Sequence, residues 1–194
     1  MALDRELFED FIQNSHTLPL LRIYQVTESA VTLGRSWRGQ SPLKGTVPFK
    51  GDSLAICIRP TGGGLVRHGD DLIYSVMARR DTFPTFHQVR TSYLSFHEAV
   101  QDAFQKLGIQ TRLFRSDEAK RRDRKRPLFG RKPGDCFTEP VATDVLIHEQ
   151  KVAGGGQWRR GEAFLHQGSV RILEGISFES LKASFVGEIG RAHV

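Results

Sequence analysis

The sequence predicts one α/β or α+β domain built around a mixed, mainly antiparallel β-sheet. Apolar segments of strand length outnumber segments with helical spacing, and short polar turns join several of them. Strands joined by short turns run antiparallel, and helices then cover the faces of the sheet. The length of 194 residues suits one domain, and no internal repeat or linker divides the chain.

Three segments have the apolar spacing of amphipathic helices. Leu3–Phe11 carries apolar residues at positions 3, 7, 8 and 11, with acidic residues among the others. In Val89–Leu107 the apolar residues recur every three or four positions, and the following Gly108 is a typical helix stop. Ser177–Phe185 is expected to be a third, shorter helix.

Eight segments are predicted to be strands because they are short, apolar and bounded by turn residues. A loop is expected over Arg38–Gly51, which is rich in Gly, Pro, Ser and Lys. The predicted strands are Leu18–Val26, Ala30–Leu33, Leu54–Ile58, Asp71–Ala78, Gln110–Phe114, Thr143–His148, Lys151–Ala153 and Ala163–Leu173.

Composition places the chain among ordinary globular domains. Apolar residues make up 39% and charged residues 26% of the sequence, which excludes collagen-like and wholly disordered chains. Two cysteines give no disulfide framework and fit a reducing compartment. No apolar run approaches the roughly 18 residues of a membrane span, and the N-terminus lacks the plan of a signal peptide. We therefore expect a cytoplasmic monomer without a membrane partner.

The excess positive charge is concentrated in one segment, Arg115–Lys132. It contains nine basic and three acidic residues, which account for the whole net charge of +6. A nucleic-acid surface would combine a broader basic face with stacking aromatic residues, and Phe129 is the only aromatic residue in the segment. A patch that attracts an acidic protein partner fits better than nucleic acid; the alternative is a solvated loop.

The last seven residues, 188–194, are expected to be a non-native tail. They back-translate onto the start of a common short-read sequencing adapter that then runs into a stop codon. We therefore expect residues 1–187 to form the domain, and the natural chain to continue past about Gly187.

Two segments contain three consecutive glycines. Arg59–His68 lies between two predicted strands, and its glycines 62–64 would let backbone N–H groups approach an anion or a carbonyl oxygen. In Lys151–Arg160 a second triple glycine, 154–156, follows a short predicted strand. We expect both segments to be turns that line one pocket, with Lys151 as its cation; a flexible turn and a solvated lysine are the alternatives.

Cysteine and histidine supply the remaining candidates. Cys57 lies inside an apolar strand and is expected to be a small buried hydrophobic residue. Cys136 is surrounded by Gly, Asp, Thr, Glu and Pro, which does not fit that role. The strand Phe164–Val170 contains a polar His-Gln-Gly-Ser sequence of the kind that ends a strand or faces a cleft. Histidine and aspartate residues show no metal-ligand spacing, and we expect no metal.

Taken in order, these motifs resemble the biotin/lipoate protein ligase and octanoyltransferase superfamily. The resemblance covers most of the chain and marks residues 1–187 as a catalytic domain of that type. It implies a mixed, largely antiparallel sheet flanked by helices, like the catalytic domain of class II aminoacyl-tRNA synthetases. The matching segments are Met1–Asp4, Leu21–Tyr24, Leu33–Arg35, Arg59–His68, Leu72–Val76, Lys151–Gln157 and Leu165–Val170.

The resemblance also implies a site and a reaction. Cys136-Phe137-x-x-Pro140 is similar to the segment around the acyl-thioester cysteine of LipM-type octanoyltransferases. Such enzymes move octanoyl from acyl carrier protein to a lysine of a lipoyl domain, in glycine cleavage H protein or a 2-oxoacid dehydrogenase E2, without a cofactor. The implied catalytic residues are Cys136 and Lys151. The implied substrate-binding residues are Arg59, Thr61, Gly62, Gly63, Gly64, His68, Gly154, Gly155 and His166.

Two other functions stay open at the level of sequence. An ATP-dependent lipoate or biotin ligase of this superfamily would use ATP and Mg²⁺ and form an acyl-adenylate. A non-catalytic binder of lipoyl domains would need neither Cys136 nor Lys151. Gly155-Gly156 stands where the family has Ser-Ala. The transferase hypothesis requires Cys136, Lys151, His68 and the Gly62–Gly64 segment to line one cleft.

Overall fold

A computed structural model describes residues 1–14, 18–35, 46–49, 52–115, 117–118 and 140–191 of the chain. The helices are α1 (Ala2–Gln13), α2 (Val89–Lys106) and α3 (Phe178–Arg191), with a 3₁₀ turn at Pro84–Phe86. The strands are β1 (Leu20–Tyr24), β2 (Ala30–Gly34), β3 (Thr46–Phe49), β4 (Asp52–Arg59), β5 (Leu65–His68), β6 (Asp71–Arg79), β7 (Arg112–Leu113), β8 (Val145–Ile147), β9 (Gln150–Arg160) and β10 (Ala163–Arg171).

The strands form two sheets. The larger sheet has the order β1-β6-β10-β9-β8-β7 and is antiparallel throughout. The smaller has the order β3-β4-β2-β5, in which β2 and β4 are the one parallel pair among the described strands. The expected mixed, largely antiparallel sheet flanked by helices is therefore confirmed, although it is divided into two sheets.

The two faces of the larger sheet have different coverings. Helices α2 and α3 pack on one face, where Phe96, Phe104, Phe164 and Phe185 are fully buried. On the other face, α1 inserts Phe8 and Phe11 against Met77 and Leu165. None of the described helices has the length and apolar character needed to cross a membrane.

Two strands were missed by the sequence prediction. Thr46–Phe49 is β3, so the expected loop over Arg38–Gly51 is wrong at these positions, because pairing with β4 overrides the local composition. Leu65–His68 is β5, although the whole of Arg59–His68 was expected to be a turn. Leu65 and Val66 are buried there because β5 pairs with β2.

Helix α3 extends beyond the expected Ser177–Phe185 and ends at Arg191. The boundary between residues 187 and 188 falls inside this helix. Leu181 and Phe185 anchor its earlier part in the core beside α2, and the Ser184 hydroxyl donates a hydrogen bond to the Ala103 carbonyl at 2.9 Å. The non-native origin of residues 188–194 stays a prediction.

Candidate active site

A cleft lies between the two sheets. Its lining includes Arg59, Gly63 and His68 from the β4–β5 segment, and Lys151, Gly154 and Gly155 from β9. The cleft contains about 480 Å³ of empty space, part of it open to solvent. The expected meeting of the two glycine segments, Lys151 and His68 is therefore present.

Lys151 forms a buried ion pair at this cleft. Its Nζ lies 2.7 Å from Oδ2 of Asp144, and the two side chains are 7% and 1% exposed. Gly154 makes the pair possible, because a Cβ there would lie 2.5 Å from the lysine Nζ and 2.7 Å from Asp144 Oδ1. The position of the ammonium group therefore depends on glycine at position 154, three residues farther along β9.

Asp144 is a residue that sequence reasoning missed. Its carboxylate also accepts a hydrogen bond from the Val141 N–H at 2.7 Å. Thr143 before it has a φ of 78°, the left-handed region that non-glycine residues seldom adopt. Nδ1 of His97 lies 2.8 Å from the Thr143 carbonyl oxygen, so this nitrogen carries the proton and donates. A lone acidic residue inside the apolar segment Thr143–His148 was the available signal.

The first glycine segment folds back on its own arginine. Nε and Nη2 of Arg59 donate hydrogen bonds to the Gly62 carbonyl at 3.1 and 2.8 Å. Gly63 has a φ of 100°, which requires glycine. The Thr61 hydroxyl donates to Oε1 of Gln167 on β10 at 2.9 Å, which ties the segment to the larger sheet. Gly64 leads into β5.

The second glycine segment is the interior of a strand, so the expected turn is wrong. Gly154, Gly155 and Gly156 lie in the middle of β9 and pair with β10. Their backbone pairs with β10 on one edge of β9, and the absent side chains leave room for neighbours. A Cβ on Gly155 would lie 2.6 Å from Nε2 of His166, and one on Gly156 would lie 2.8 Å from the Gly62 carbonyl oxygen.

His166 lies on the other face of the larger sheet. Its neighbour Gln167 lines the cleft, and successive side chains of a strand point to opposite faces. The imidazole is fully buried and makes hydrogen bonds with the Tyr74 hydroxyl and the Gln157 amide, both at 3.1 Å. Burial, with a smaller contribution from His97, holds the pKa of His166 well below its usual range. Its assignment as a substrate-binding residue stays a prediction.

Two buried carboxylates, Asp4 and Asp71, hold residues that line the cleft. Asp4 on α1 accepts hydrogen bonds from Gln167 Nε2 at 2.7 Å and the Tyr24 hydroxyl at 2.8 Å, and pairs with Arg22 at 2.6 Å. Asp71 forms a hydrogen bond with the imidazole of His68. Burial raises the pKa of Asp71, but hydrogen bonds from His68, Ser169 and the Gly69 N–H outweigh burial and lower it below its ordinary value.

The two cysteines are placed differently from each other. Cys57 on β4 is exposed, so the expectation of a buried hydrophobic residue is wrong. Apolar neighbours predicted burial, but a strand of this sheet turns alternate side chains to opposite sides. Cys136 and most of the basic segment 115–132 lie outside the described residues. Within the described part of the chain, no three metal-ligating side chains gather at one point.

A chain with this fold, and with a buried lysine at a glycine-lined cleft between its two sheets, belongs to the class of acyl-ligase-type catalytic domains. The family model described as the lipoyl protein ligase A/B catalytic domain matches residues 1–179. The chain is therefore a member of the lipoyl protein ligase A/B catalytic-domain family, as the resemblance in sequence indicated.

Similar proteins include octanoyltransferases named LipM. The protein from Carboxydothermus hydrogenoformans is 27% identical over 210 residues, which cover 100% of this chain and 72% of that protein. The protein from Lysinibacillus sphaericus is 27% identical over 172 residues, which cover 88% of this chain and 60% of that protein. The chain thus spans less than two thirds of the length of this second relative.

Solved structures share the fold at low identity. Lipoate-protein ligase A bound with ATP has a TM-score of 0.68 and 17% identity, over 98% of this chain and 78% of that one. A bi-partite lipoate protein ligase from Thermoplasma acidophilum, described with its E2 lipoyl domain, has a TM-score of 0.63 and 16% identity, over 98% of this chain and 76% of that one.

The Lys151–Asp144 pair makes a prediction for stability. Asp144→Ala leaves a buried ammonium group without its carboxylate, so the free energy of unfolding should fall by about 3–5 kcal/mol. Asp144→Leu combined with Lys151→Met should recover most of this loss, because an apolar pair of similar volume is often neutral. Urea unfolding measures both; a loss below about 1 kcal/mol in Asp144→Ala would mean that water already screens the pair.

The buried histidines predict a pH dependence of stability. Burial lowers the pKa of both His97 and His166 in the folded protein. Below about pH 6.5 the unfolded chain therefore binds protons that the folded chain does not. The free energy of unfolding should decrease as the pH is lowered through this range. Each histidine can contribute at most about 1.4 kcal/mol per pH unit to the slope, and His166, whose pKa is lowered further, should contribute the larger part. Urea titrations from pH 7.5 to 5.5 test this, and His97→Asn should reduce the slope; an equal slope would contradict the assignment.

Proposed function

We propose that this chain is an octanoyltransferase that moves an octanoyl group from acyl carrier protein to a lysine of a lipoyl domain. Two things support the proposal: the family membership and the LipM-named relatives. The observation that carries it is the buried ammonium group of Lys151, held by Asp144 at a cleft that the glycine segments also line. A fixed cation in such a cleft is suited to stabilise negative charge on a reacting carbonyl oxygen.

In the first half of the proposed reaction, the thiolate of Cys136 attacks the thioester carbonyl of the octanoyl-carrier protein. A new carbon–sulfur bond forms, the bond to the carrier sulfur breaks, and the carrier leaves as its thiolate, which then takes a proton from water. An ordinary cysteine is only a few per cent thiolate at neutral pH. The Lys151 cation would favour the thiolate and the tetrahedral oxyanion. The backbone of Gly63 and of the β9 glycines lines the cleft in which the acyl group would lie.

In the second half, the lysine amine of the lipoyl domain attacks the acyl-enzyme. An amide bond forms, the bond to the Cys136 sulfur breaks, and the free thiol is regenerated. Neither half consumes ATP, so the proposed transferase needs no cofactor. A ligase acting through an acyl-adenylate would require ATP and Mg²⁺ and would use the same lysine to bind the adenylate phosphate.

Cys136→Ala distinguishes the two mechanisms. Incubation of the wild-type chain with octanoyl-carrier protein and no ATP should add one octanoyl group, removable by hydroxylamine and visible by mass spectrometry. Cys136→Ala should abolish both the adduct and transfer to the lipoyl domain. Cys57→Ala is the matched control, and because Cys57 is exposed, this variant should retain both activities. Lys151→Ala should slow acylation and shift its pH dependence upward, because the thiolate loses a neighbouring cation.

The ligase hypothesis predicts the opposite pattern. Transfer would then need ATP, Cys136→Ala would be mild, and Lys151→Ala would be severe. Full activity of Cys136→Ala with octanoyl-carrier protein and no ATP would exclude the covalent mechanism. A wild-type chain that binds lipoyl domains and transfers no acyl group under either condition would be a binder.

We propose a second role for the basic segment, as the docking surface for the two acidic protein substrates. Replacing Arg121, Arg122, Arg124 and Lys125 with Ser should raise the KM for octanoyl-carrier protein and leave chemistry within the complex unchanged. Added salt should raise the wild-type KM in the same way, because the Debye length is about 8 Å at physiological ionic strength. An octanoyl-pantetheine thioester is the control donor, whose KM should not change. A variant with wild-type KM and salt dependence would mean a solvated loop.

A further inference from the structure

Three polar side chains form a hydrogen-bonded row that ends in the cleft. Oδ2 of Asp71 lies 2.7 Å from Nδ1 of His68, and Nε2 of His68 lies 2.8 Å from Oγ1 of Thr32. Three strands supply the residues, β6, β5 and β2 respectively. All three are buried, at 3%, 7% and 3% exposure. The row has the order carboxylate–imidazole–hydroxyl, which is the arrangement of a general-base relay.

The partners assign the protons in this row. A carboxylate only accepts, so Nδ1 of His68 carries a proton and Nε2 is the acceptor in the neutral ring. The Thr32 hydroxyl therefore donates its proton to Nε2. Nη1 of Arg59 donates to the same Thr32 oxygen at 3.2 Å, which leaves one lone pair of that oxygen for a further donor. The Thr32 hydroxyl is thus oriented to pass its proton to His68 Nε2 while its oxygen accepts a proton from a donor in the cleft.

Asp71 is fixed in place from two further sides. Ser169 Oγ donates to its Oδ2 at 2.6 Å, and the Gly69 N–H donates to its Oδ1 at 3.0 Å. A carboxylate with three donors stays ionised and stabilises an imidazolium at His68.

Thr32 and His68 line the cleft together with Lys151. We infer that Thr32, His68 and Asp71 form a proton relay for the attack of the acceptor amine on the activated acyl group. As the carbon–nitrogen bond forms, the amine gives a proton to Thr32 Oγ1, and the hydroxyl proton of Thr32 passes to His68 Nε2. The bond from the acyl carbon to its leaving group breaks, and the imidazolium later returns the proton to that leaving group or to water.

This inference rests on the proposed function, but it does not depend on the covalent step. The amine must lose a proton whether the acyl group is a Cys136 thioester or an adenylate. A merely structural role for the row, joining the smaller sheet to β6 and β10, makes a different prediction. It would impair every reaction of the enzyme equally, whereas a relay impairs only reactions in which a basic amine must be deprotonated.

The test compares Thr32→Val with Thr32→Ser. Thr32→Val keeps the shape and removes the hydroxyl; Thr32→Ser keeps the hydroxyl. Thr111→Val is the matched control, since Thr111 lies before β7 and outside the cleft. Single-turnover assays measure formation of the octanoyl-enzyme, its cleavage by hydroxylamine, and its transfer to a lipoyl domain. Hydroxylamine is neutral at pH 7 and needs no general base.

The relay predicts a selective defect. Thr32→Val should form the adduct and release it to hydroxylamine within about threefold of the wild-type rate, with transfer to the lipoyl lysine about 100-fold slower. Thr32→Ser should restore transfer to within about tenfold, and Thr111→Val should match the wild type. These results together support the relay.

Other results would overturn it. Transfer by Thr32→Val within threefold of wild type removes the relay and leaves the proposed function intact. Equal loss of acylation, hydroxylamine cleavage and transfer means a structural role only, and an octanoyl group found on Thr32 means that it is a nucleophile. If the wild type forms no adduct but transfers octanoate with ATP, the covalent step fails. The relay is then judged by a 100-fold loss of that transfer in Thr32→Val. A wild type inactive under both conditions removes both proposals.

Discussion

The cleft depends on one interaction, the ion pair between Lys151 and Asp144. An ammonium group that is 7% exposed would be strongly destabilising without a carboxylate at 2.7 Å. The pair in turn imposes requirements on its surroundings. Gly154 must lack a side chain so that the lysine can bend toward Asp144, and the turn before β8 must accept a left-handed Thr143 so that the carboxylate points inward. The position of the Lys151 charge therefore explains both the glycine at 154 within β9 and the left-handed backbone of Thr143.

Buried carboxylates with partners on several elements also join the separate layers of the molecule. Asp4 and Asp71 are buried carboxylates, each placed where different elements meet. Asp4 connects α1 to β1 and β10 through Arg22, Tyr24 and Gln167. Burial, together with the charge of Asp4, raises the pKa of the Tyr24 hydroxyl far above its usual value. A buried carboxylate needs donors from several directions, and these come from separate elements. The polar groups at the cleft thereby fix the position of α1 and of the smaller sheet as well as the site.

The sequence predicted what local pattern determines and missed what tertiary contact determines. Helix α2 follows from its apolar spacing and begins at the predicted residue. The strand β3 and the exposure of Cys57 could not be predicted. Strand pairing, and the side of the sheet to which a side chain points, depend on which strand lies alongside. Of the site, motif order predicted that Lys151, His68 and the first glycine segment would meet. Asp144, Thr32 and Asp71 were missed because each pairs with a residue on another strand, and the sequence does not show which side chains meet there.

The glycines of β9 show why the second triple glycine was misinterpreted. Glycine in a strand weakens it unless a neighbour uses the space, and here three different neighbours do. The Lys151 ammonium occupies the space at Gly154, the His166 imidazole that at Gly155, and the Gly62 carbonyl that at Gly156. The middle and last positions are those where the family has Ser-Ala. In this chain a side chain at either would displace His166 from Tyr74 and Gln157, or the first glycine segment from β9. The two departures from the family pattern therefore have separate causes: glycine at 155 leaves room for the His166 imidazole, and glycine at 156 lets the Gly62 carbonyl approach β9.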